Sequence, residues 1–165
     1  MEGIVVSGAT IQKDMAKISL IGVDNVPGNA AKIFSHLAKA KVVVNDIIQT
    51  EVSSEKANLS FMINLSDLKA AQEAVKEIKD EVNFQDIFVR EDIAEISVVG
   101  VGMRTHYGVA EKMFGALSEA KVNIDSITTS EIRISCAVDE DQAEKALNAV
   151  CLAFELDRTT RQRSK

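Results

Sequence analysis

The chain has 165 residues, 46% of them hydrophobic, and a formal net charge of -6. This length is enough for one ordinary domain or for two small domains with separate cores. The negative charge argues against a nucleic-acid-binding surface, because such surfaces are rich in Lys and Arg.

Neither a membrane anchor nor a metal centre is predicted. No apolar run approaches the roughly 20 residues that a membrane span needs, and the residues after Met1 do not resemble a signal peptide. Cys136 and Cys151 fit neither a disulfide framework nor a metal-ligand spacing, so we expect buried free thiols. These features predict a cytoplasmic protein with a disordered basic tail at residues 157–165.

The first half of the chain predicts the element order β-α-β-β-α-β after an additional N-terminal strand. A glycine-containing loop leads from the first strand into an amphipathic helix that starts near Gly28. A later strand alternates apolar and polar residues from Leu59 to Leu65. The predicted elements are a strand at 4–10, a strand at 17–23, a helix from 28, strands at 42–48 and 59–65, a helix at about 67–78 and a strand at 83–90.

The second half repeats the first. Residues 16–23 and 94–101, AKISLIGV and AEISVVGV, are identical at five of eight positions at an offset of 78. After a two-residue insertion the match resumes at an offset of 80, where Gly28 falls on Gly108. Such a long match indicates a tandem duplication.

The second copy lacks a final strand, whereas the N-terminal strand at 4–10 has no partner in the first copy. We therefore predict an α+β fold of two ferredoxin-like βαββαβ units in tandem, with antiparallel sheets and helices on one face. The first unit, residues 15–91, is inserted into the second. The second combines residues 3–12 with 92–156.

A glycine pair in the second copy raises the question of a dinucleotide site. Gly100 and Gly102 follow a strand, as in a dinucleotide-binding fingerprint, but Thr105 stands where the third glycine belongs. Asp125 has the spacing of the acidic residue, yet it lies in a unit whose next strands form a hairpin. We therefore expect neither a nucleotide nor any other cofactor, and no catalytic residues.

Both loops lead into the N-terminus of a helix, where free N–H groups and the helix dipole suit a carboxylate. Polar side chains nearby suit an ammonium group, and the two together describe an amino-acid pocket. The alternative, that these side chains only cap loops and strand ends, stays open from spacing alone. They are Asn45 and Gln49 in the first copy and Asn123, Asp125 and Glu131 in the second.

Three segments carry a resemblance to a known family. They read VPGNAAKIF (26–34), GVGMRTHYGV (100–109) and TTSEIRIS (128–135). Together with the paired βαββαβ pattern, they resemble the tandem ACT domains at the C-terminus of aspartokinase, over residues 3–156. The resemblance implies the regulatory region or a separate regulatory β subunit of an aspartate kinase, with the ATP- and aspartate-binding kinase domain absent from this chain.

In this family the effector pockets lie where first-copy and second-copy ACT units pair side by side into one sheet, and the resemblance implies a catalytic partner chain or domain. A homodimer is expected because the two ACT units of one chain leave sheet edges that are stabilised by partners. The resemblance also implies two sets of effector-binding residues. The first-copy set is Asn25, Pro27, Gly28, Asn29, Ala30, Val43, Val44, Asn45 and Gln49. The second-copy set is Val109, Ala110, Asn123, Ile124, Ser130 and Glu131.

The first-copy set departs from the family pattern. Asn25 stands where the family has Asp, and Val43-Val44-Asn45 stand where it has Asn-x-Asp. Losing two carboxylates removes partners for an ammonium group, so threonine is expected as effector before lysine. Two other hypotheses are a dimerisation module with degenerate pockets and an acyl-phosphate hydrolase, for which only Arg104 offers a phosphate-binding charge.

Overall fold

A computed structural model describes residues 6–101, 107–156 and 161–163 of the chain. Its elements follow the repeated order predicted from the sequence, with one short 3-10 turn before the second helix of each repeat. The elements are β1 (Val6–Asp24), α1 (Asn29–Lys39), β2 (Asn45–Glu51), β3 (Lys56–Asn64), α2 (Leu68–Glu77), α3 (Lys79–Val82), β4 (Asp86–Gly100), α4 (Val109–Glu119), β5 (Ser126–Thr129), β6 (Arg133–Asp139), α5 (Ala143–Ala153) and β7 (Arg161–Arg163).

The chain divides into two compact units. The inserted unit is Asp14–Glu91, and the split unit combines the segment that ends at Lys13 with the segment that begins at Asp92. The two longest strands, β1 and β4, each contribute one part to each unit. The predicted α+β class with two ferredoxin-like units is confirmed.

The inserted unit is a four-stranded sheet with helices on one face. Its strand order is β2-β3-β1-β4, and β1 runs antiparallel to β3 with Leu20 opposite Leu59. Alternate residues of these strands enter a core with the apolar stripes of α1 and α2, because successive side chains of a strand point to opposite faces. The largest fully buried side chains of this core are Ile18, Leu20, Ile33, Leu37, Leu59, Phe61, Ile63 and Ile78.

The split unit has the equivalent order, β5-β6-β4-β1, with Ile96 of β4 opposite Cys136 of β6. Its N-terminal strand takes the place of the strand that the second repeat lacks. Its core combines one face of the sheet with α4 and α5, and includes Ile96, Val98, Met113, Leu117, Ile134, Cys136, Val138, Leu147 and Val150.

Strand boundaries differ from the prediction where two predicted strands are joined. Residues 6–10 of the strand expected at 4–10 and the strand expected at 17–23 belong to one continuous strand, β1, and the strand expected at 83–90 begins at Asp86 and continues into the second repeat as β4. No Gly or Pro interrupts either junction, so nothing forces a turn. The strand expected from Val42 starts at Asn45, the first residue with a partner on β3.

Part of the basic tail is ordered, which corrects the disorder expected for residues 157–165. Residues 161–163 form β7, which runs parallel to β1 with Arg161 opposite Ala9. The N-terminal part of β1 is the edge of the sheet in the split unit, and an edge strand offers unpaired N–H and C=O groups to an added strand. Residues 157–160 and 164–165 lie outside the described residues.

In the part of the chain that the structure describes, no helix is long and apolar enough to cross a membrane. Both cysteines are buried and free, as expected. Burial, with a smaller contribution from Glu95, raises the pKa of the Cys136 thiol to about 12.

We therefore expect Cys136 to resist modification in the folded protein, because the reactive thiolate is almost absent near neutral pH. Titration with a chromogenic disulfide reagent at pH 8 tests this. Cys136 should react only after denaturation, at the rate of an ordinary exposed thiol. A Cys151→Ala variant isolates the signal, and rapid labelling of its folded form would contradict the expectation.

Candidate functional site

The loop between β1 and α1 is built around one glycine in the left-handed region. Gly28 has φ of 93° and immediately precedes the first residue of α1. A side chain at this φ is strained, so glycine is the residue that permits the turn into the helix. Apart from Gly28 and its chain neighbours, no atom of the described residues lies within 4 Å of the position that a Cβ on Gly28 would occupy, so the constraint is conformational rather than steric.

This loop borders a cavity of about 360 Å³, the first-repeat cavity. Six of the nine residues predicted for the first repeat line this cavity: Asn25, Pro27, Gly28, Asn29, Ala30 and Gln49. The other lining residues, which sequence reasoning did not select, are Val23, Asp24, Val26, Ile33, Ala57 and Leu59. Val23, Ile33, Ala57 and Leu59 belong to strand and helix patterns that predict only core packing, whereas Val26 lies in the loop itself.

Backbone hydrogen bonds hold the loop that borders the cavity. Asn29 is 4% exposed, and its side-chain amide donates to the Asp24 carbonyl oxygen at 2.8 Å. The Val26 N–H donates to the same oxygen at 2.9 Å, and the Asn25 N–H donates to the Glu55 carbonyl oxygen at 2.8 Å. The predicted residue Asn29 therefore supports the wall of the cavity through its side chain.

Asp24 introduces a carboxylate that sequence reasoning missed. Its Oδ1 lies 2.6 Å from the Lys56 ammonium, and its Oδ2 accepts a 3.4 Å hydrogen bond from the Asn83 amide. These contacts, chiefly the Lys56 hydrogen bond, hold the pKa of Asp24 below its ordinary value of 3.8. The carboxylate is therefore ionised at neutral pH, and the stabilisation from its pair is lost only as the pH falls through that lowered pKa.

The sequence contains both charged residues of this pair, but only the register of β1 against β3 shows that they are neighbours. Asp24 ends β1 and Lys56 begins β3, and the two residues lie directly opposite each other across the antiparallel ladder. Opposite charges at such positions attract. They are 32 residues apart in the chain, so their proximity depends on tertiary pairing.

Val43, Val44 and Asn45 do not line the first-repeat cavity. Gln49 does, since it lies opposite Leu59 on β3, whereas Asn45 lies opposite Met62. Four residues along a strand span about 13 Å, which separates Asn45 from the cavity. Val43 is 63% exposed, ahead of the first residue of β2.

The second-repeat site is described only in part. Residues 102–106, which include Arg104, Thr105 and His106, lie outside the described residues. Val109 is buried at the start of α4, after Gly108 with φ of 84°, as Asn29 is in α1. Of the other predicted residues, Ala110 and Ile124 are half-buried, while Asn123, Ser130 and Glu131 are exposed.

The first-repeat cavity combines three kinds of binding group. The first turn of α1 presents backbone N–H groups that have no partner within the helix, and they suit a carboxylate. Asn25 and Gln49 provide amide side chains, and Val26, which is 55% exposed, provides apolar surface. Within the described residues, no group of three or more His, Cys, Asp or Glu side chains is placed to hold a metal ion. The arrangement suits a small zwitterion with a short side chain.

Comparison with known proteins points to one family. A family model described as ACT domain matches residues 18–78 and 96–154. The aspartokinase of Pseudomonas aeruginosa is 37% identical over 162 residues, covering 98% of this chain and 39% of that protein. The chain thus spans about two fifths of the length of the curated relatives it matches.

Two solved structures match over nearly their whole length. The regulatory subunit of aspartate kinase from Thermus thermophilus, in a ligand-free form, is 37% identical with a TM-score of 0.84, covering 92% of this chain and 99% of that chain. A structure of aspartokinase alpha and beta subunits gives 36% identity and a TM-score of 0.83 with the same coverage. The chain therefore belongs to the ACT domain family, and within it to the regulatory regions or subunits of aspartokinases.

Proposed function

We propose that this chain is an amino-acid-binding regulatory module that places an aspartate kinase under feedback control by a pathway end product. The observation that carries the proposal is the first-repeat cavity, which lies at the N-terminus of α1 and brings together six residues predicted from the family pattern. Its donors, amide side chains and apolar floor match the three parts of an α-amino acid: carboxylate, ammonium and side chain.

Threonine is our first choice of effector and lysine the second. Asn25 carries no charge, and the carboxylate of Asp24 is already paired with Lys56. A second ammonium group, as in lysine, would therefore find no free carboxylate among these two residues. The hydroxyl of threonine needs only a neutral hydrogen-bond partner, which Asn25 or Gln49 supplies.

The kinase reaction would be carried out by a separate catalytic chain or domain. One matching structure is of aspartokinase alpha and beta subunits, and we propose a similar association for this chain. Effector binding would then bias the catalytic part between active and inhibited states. Because such coupling is reciprocal, adding the catalytic chain should change the affinity for the effector.

We further propose a homodimer formed by side-by-side pairing of ACT sheets. β2 is an edge of the inserted unit, and its Ile47 is 53% exposed. Val52, just after β2, is 62% exposed. An apolar edge strand of this kind is stabilised by pairing with a second strand. A solution mass of two chains, by light scattering, is the expected result.

Calorimetric titration of the purified chain with threonine, lysine and methionine tests the sensor function. We expect saturable binding of threonine, weaker binding of lysine and no response to methionine. Gln49→Ala should weaken threonine binding, whereas Gln72→Ala, which changes an amide on α2 outside the cavity, should not. If none of the three amino acids gives a binding signal, the sensor function is contradicted.

A dimerisation module with degenerate pockets is the second candidate. The exposure of Val43 and the position of Asn45 outside the cavity favour it, because the family pattern places effector-binding residues there. This candidate predicts a dimer that binds none of the three amino acids, so the same titration and mass measurement distinguish the two functions.

A further inference from the structure

We propose that Lys56 sets the ligand preference of the first-repeat cavity by acting as an internal cation on Asp24, whose carboxylate would otherwise bind the ammonium group of a cationic amino acid. The inference rests on the proposed function, since it concerns the same cavity. It makes Lys56, which was not among the predicted site residues, a residue that determines specificity.

The geometry of the pair supports this role. Asp24 lines the cavity, and its carboxylate lies 2.6 Å from the Lys56 ammonium. The side chains are 37% and 27% exposed, so both are partly shielded from water. Asn83 donates to the second carboxylate oxygen at 3.4 Å. The carboxylate is thus occupied from two sides by groups of this chain.

Lys56 is held in this position by the turn that precedes it. Its backbone N–H donates to the Ser53 hydroxyl at 3.1 Å. Its carbonyl oxygen accepts hydrogen bonds from the N–H groups of Val52 at 2.9 Å and Ser53 at 3.1 Å. The hairpin therefore presents the lysine at a fixed point, directly opposite Asp24 in the β1–β3 ladder.

The sequence of the second repeat carries no such pair. At the offset of 78 that relates the two copies here, Asp24 corresponds to Gly102. Leu20 pairs with Leu59 and its counterpart Val98 pairs with Ile134, so Lys56, three residues before Leu59, corresponds to Glu131. The longer hairpin that contains Lys56 and the carboxylate at position 24 are thus both specific to the first repeat.

The pair has a direct consequence for ligand choice. With Lys56 in place the charge of Asp24 is balanced, so a ligand with a second ammonium group gains no net attraction from this pair. A neutral side chain such as that of threonine is not penalised. Replacing Lys56 by a neutral residue should expose the carboxylate and turn a cavity for neutral amino acids into one for cationic amino acids.

The test is calorimetric titration of Lys56→Gln with L-lysine and with L-threonine. We expect the affinity for L-lysine relative to L-threonine to rise roughly tenfold, the effect of one additional hydrogen bond to a charged group. Lys56→Arg retains the cation and should behave like the natural chain. Lys69→Gln removes the same charge from an exposed position on α2 and should also leave the ratio unchanged.

The double variant Asp24→Asn/Lys56→Gln removes the carboxylate as well, so its affinity for L-lysine relative to L-threonine should not rise. An unchanged ratio in Lys56→Gln overturns the inference, and so does an equal gain in Lys69→Gln. If the natural chain binds threonine and Lys56→Gln shows no shift, only this inference fails. If the natural chain binds neither amino acid but Lys56→Gln binds lysine, the proposed sensor function fails and this inference stands. A thermal melt of each variant verifies folding.

Discussion

Phe61→Ala is expected to lower the free energy of unfolding by about 3–5 kcal/mol, the usual cost of truncating a buried aromatic side chain. Phe61 is fully buried in the core of the inserted unit. Its ring also packs edge-to-face against Phe34 of α1 with the ring centroids 5.9 Å apart. The truncation would remove both the burial and this aromatic contact between sheet and helix. Urea denaturation followed by circular dichroism measures the loss.

Phe88→Ala is the matched control for this prediction. Phe88 lies on β4, within the inserted unit, and is 58% exposed. The same truncation there should cost less than about 1 kcal/mol, because little apolar surface is withdrawn from water at this position. Equal losses for the two variants would contradict the described core.

Asn29→Ala is expected to weaken threonine binding roughly tenfold and to lower the free energy of unfolding by about 1–2 kcal/mol, the range for a lost buried hydrogen bond. The Asn29 amide is the side-chain group that holds the Asp24 carbonyl, at 2.8 Å. Without it the loop from Asp24 to Gly28 keeps its backbone hydrogen bonds, including the 3.4 Å bond from the Asn29 N–H to the Val26 carbonyl oxygen, but Asp24 loses its direct link to α1. Calorimetry with threonine and urea denaturation measure the two effects.

Ser35→Ala, at an exposed position on the same helix, controls for a general change in α1. It should leave both quantities unchanged within about 0.5 kcal/mol. Threonine affinity that is unaffected by Asn29→Ala would mean that the loop position does not depend on this hydrogen bond. An unchanged free energy of unfolding would mean that water replaces the amide at no cost.

The cavity shows where sequence reasoning succeeded and where it stopped. The loop residues from Asn25 to Ala30 are contiguous, and a glycine before an amphipathic helix indicates their local geometry. Gln49 and Asn45 are both polar residues of one strand, yet only Gln49 lines the cavity. The sequence does not distinguish them, because the register of β2 against β3 decides which residue lies beside α1.

Local patterns in the chain were sufficient for the duplicated βαββαβ order and for the core faces of helices and strands. Periodicities of two and of 3.6 residues report burial within one element, and the internal match at offsets of 78 and 80 reports the second unit. These signals depend on neighbouring residues along the chain, so they can be read without coordinates.

Tertiary structure alone decided the charge of the cavity. Asp24 precedes Asn25, the residue that the sequence analysis selected, and Lys56 belongs to none of the motifs that it identified. Their 2.6 Å contact exists because β1 pairs with β3 in one register. Pairing between distant segments follows from the packing of the whole core and from no local pattern. The fold could therefore be predicted from the sequence, whereas the ion pair between Asp24 and Lys56 became apparent only from the strand pairing.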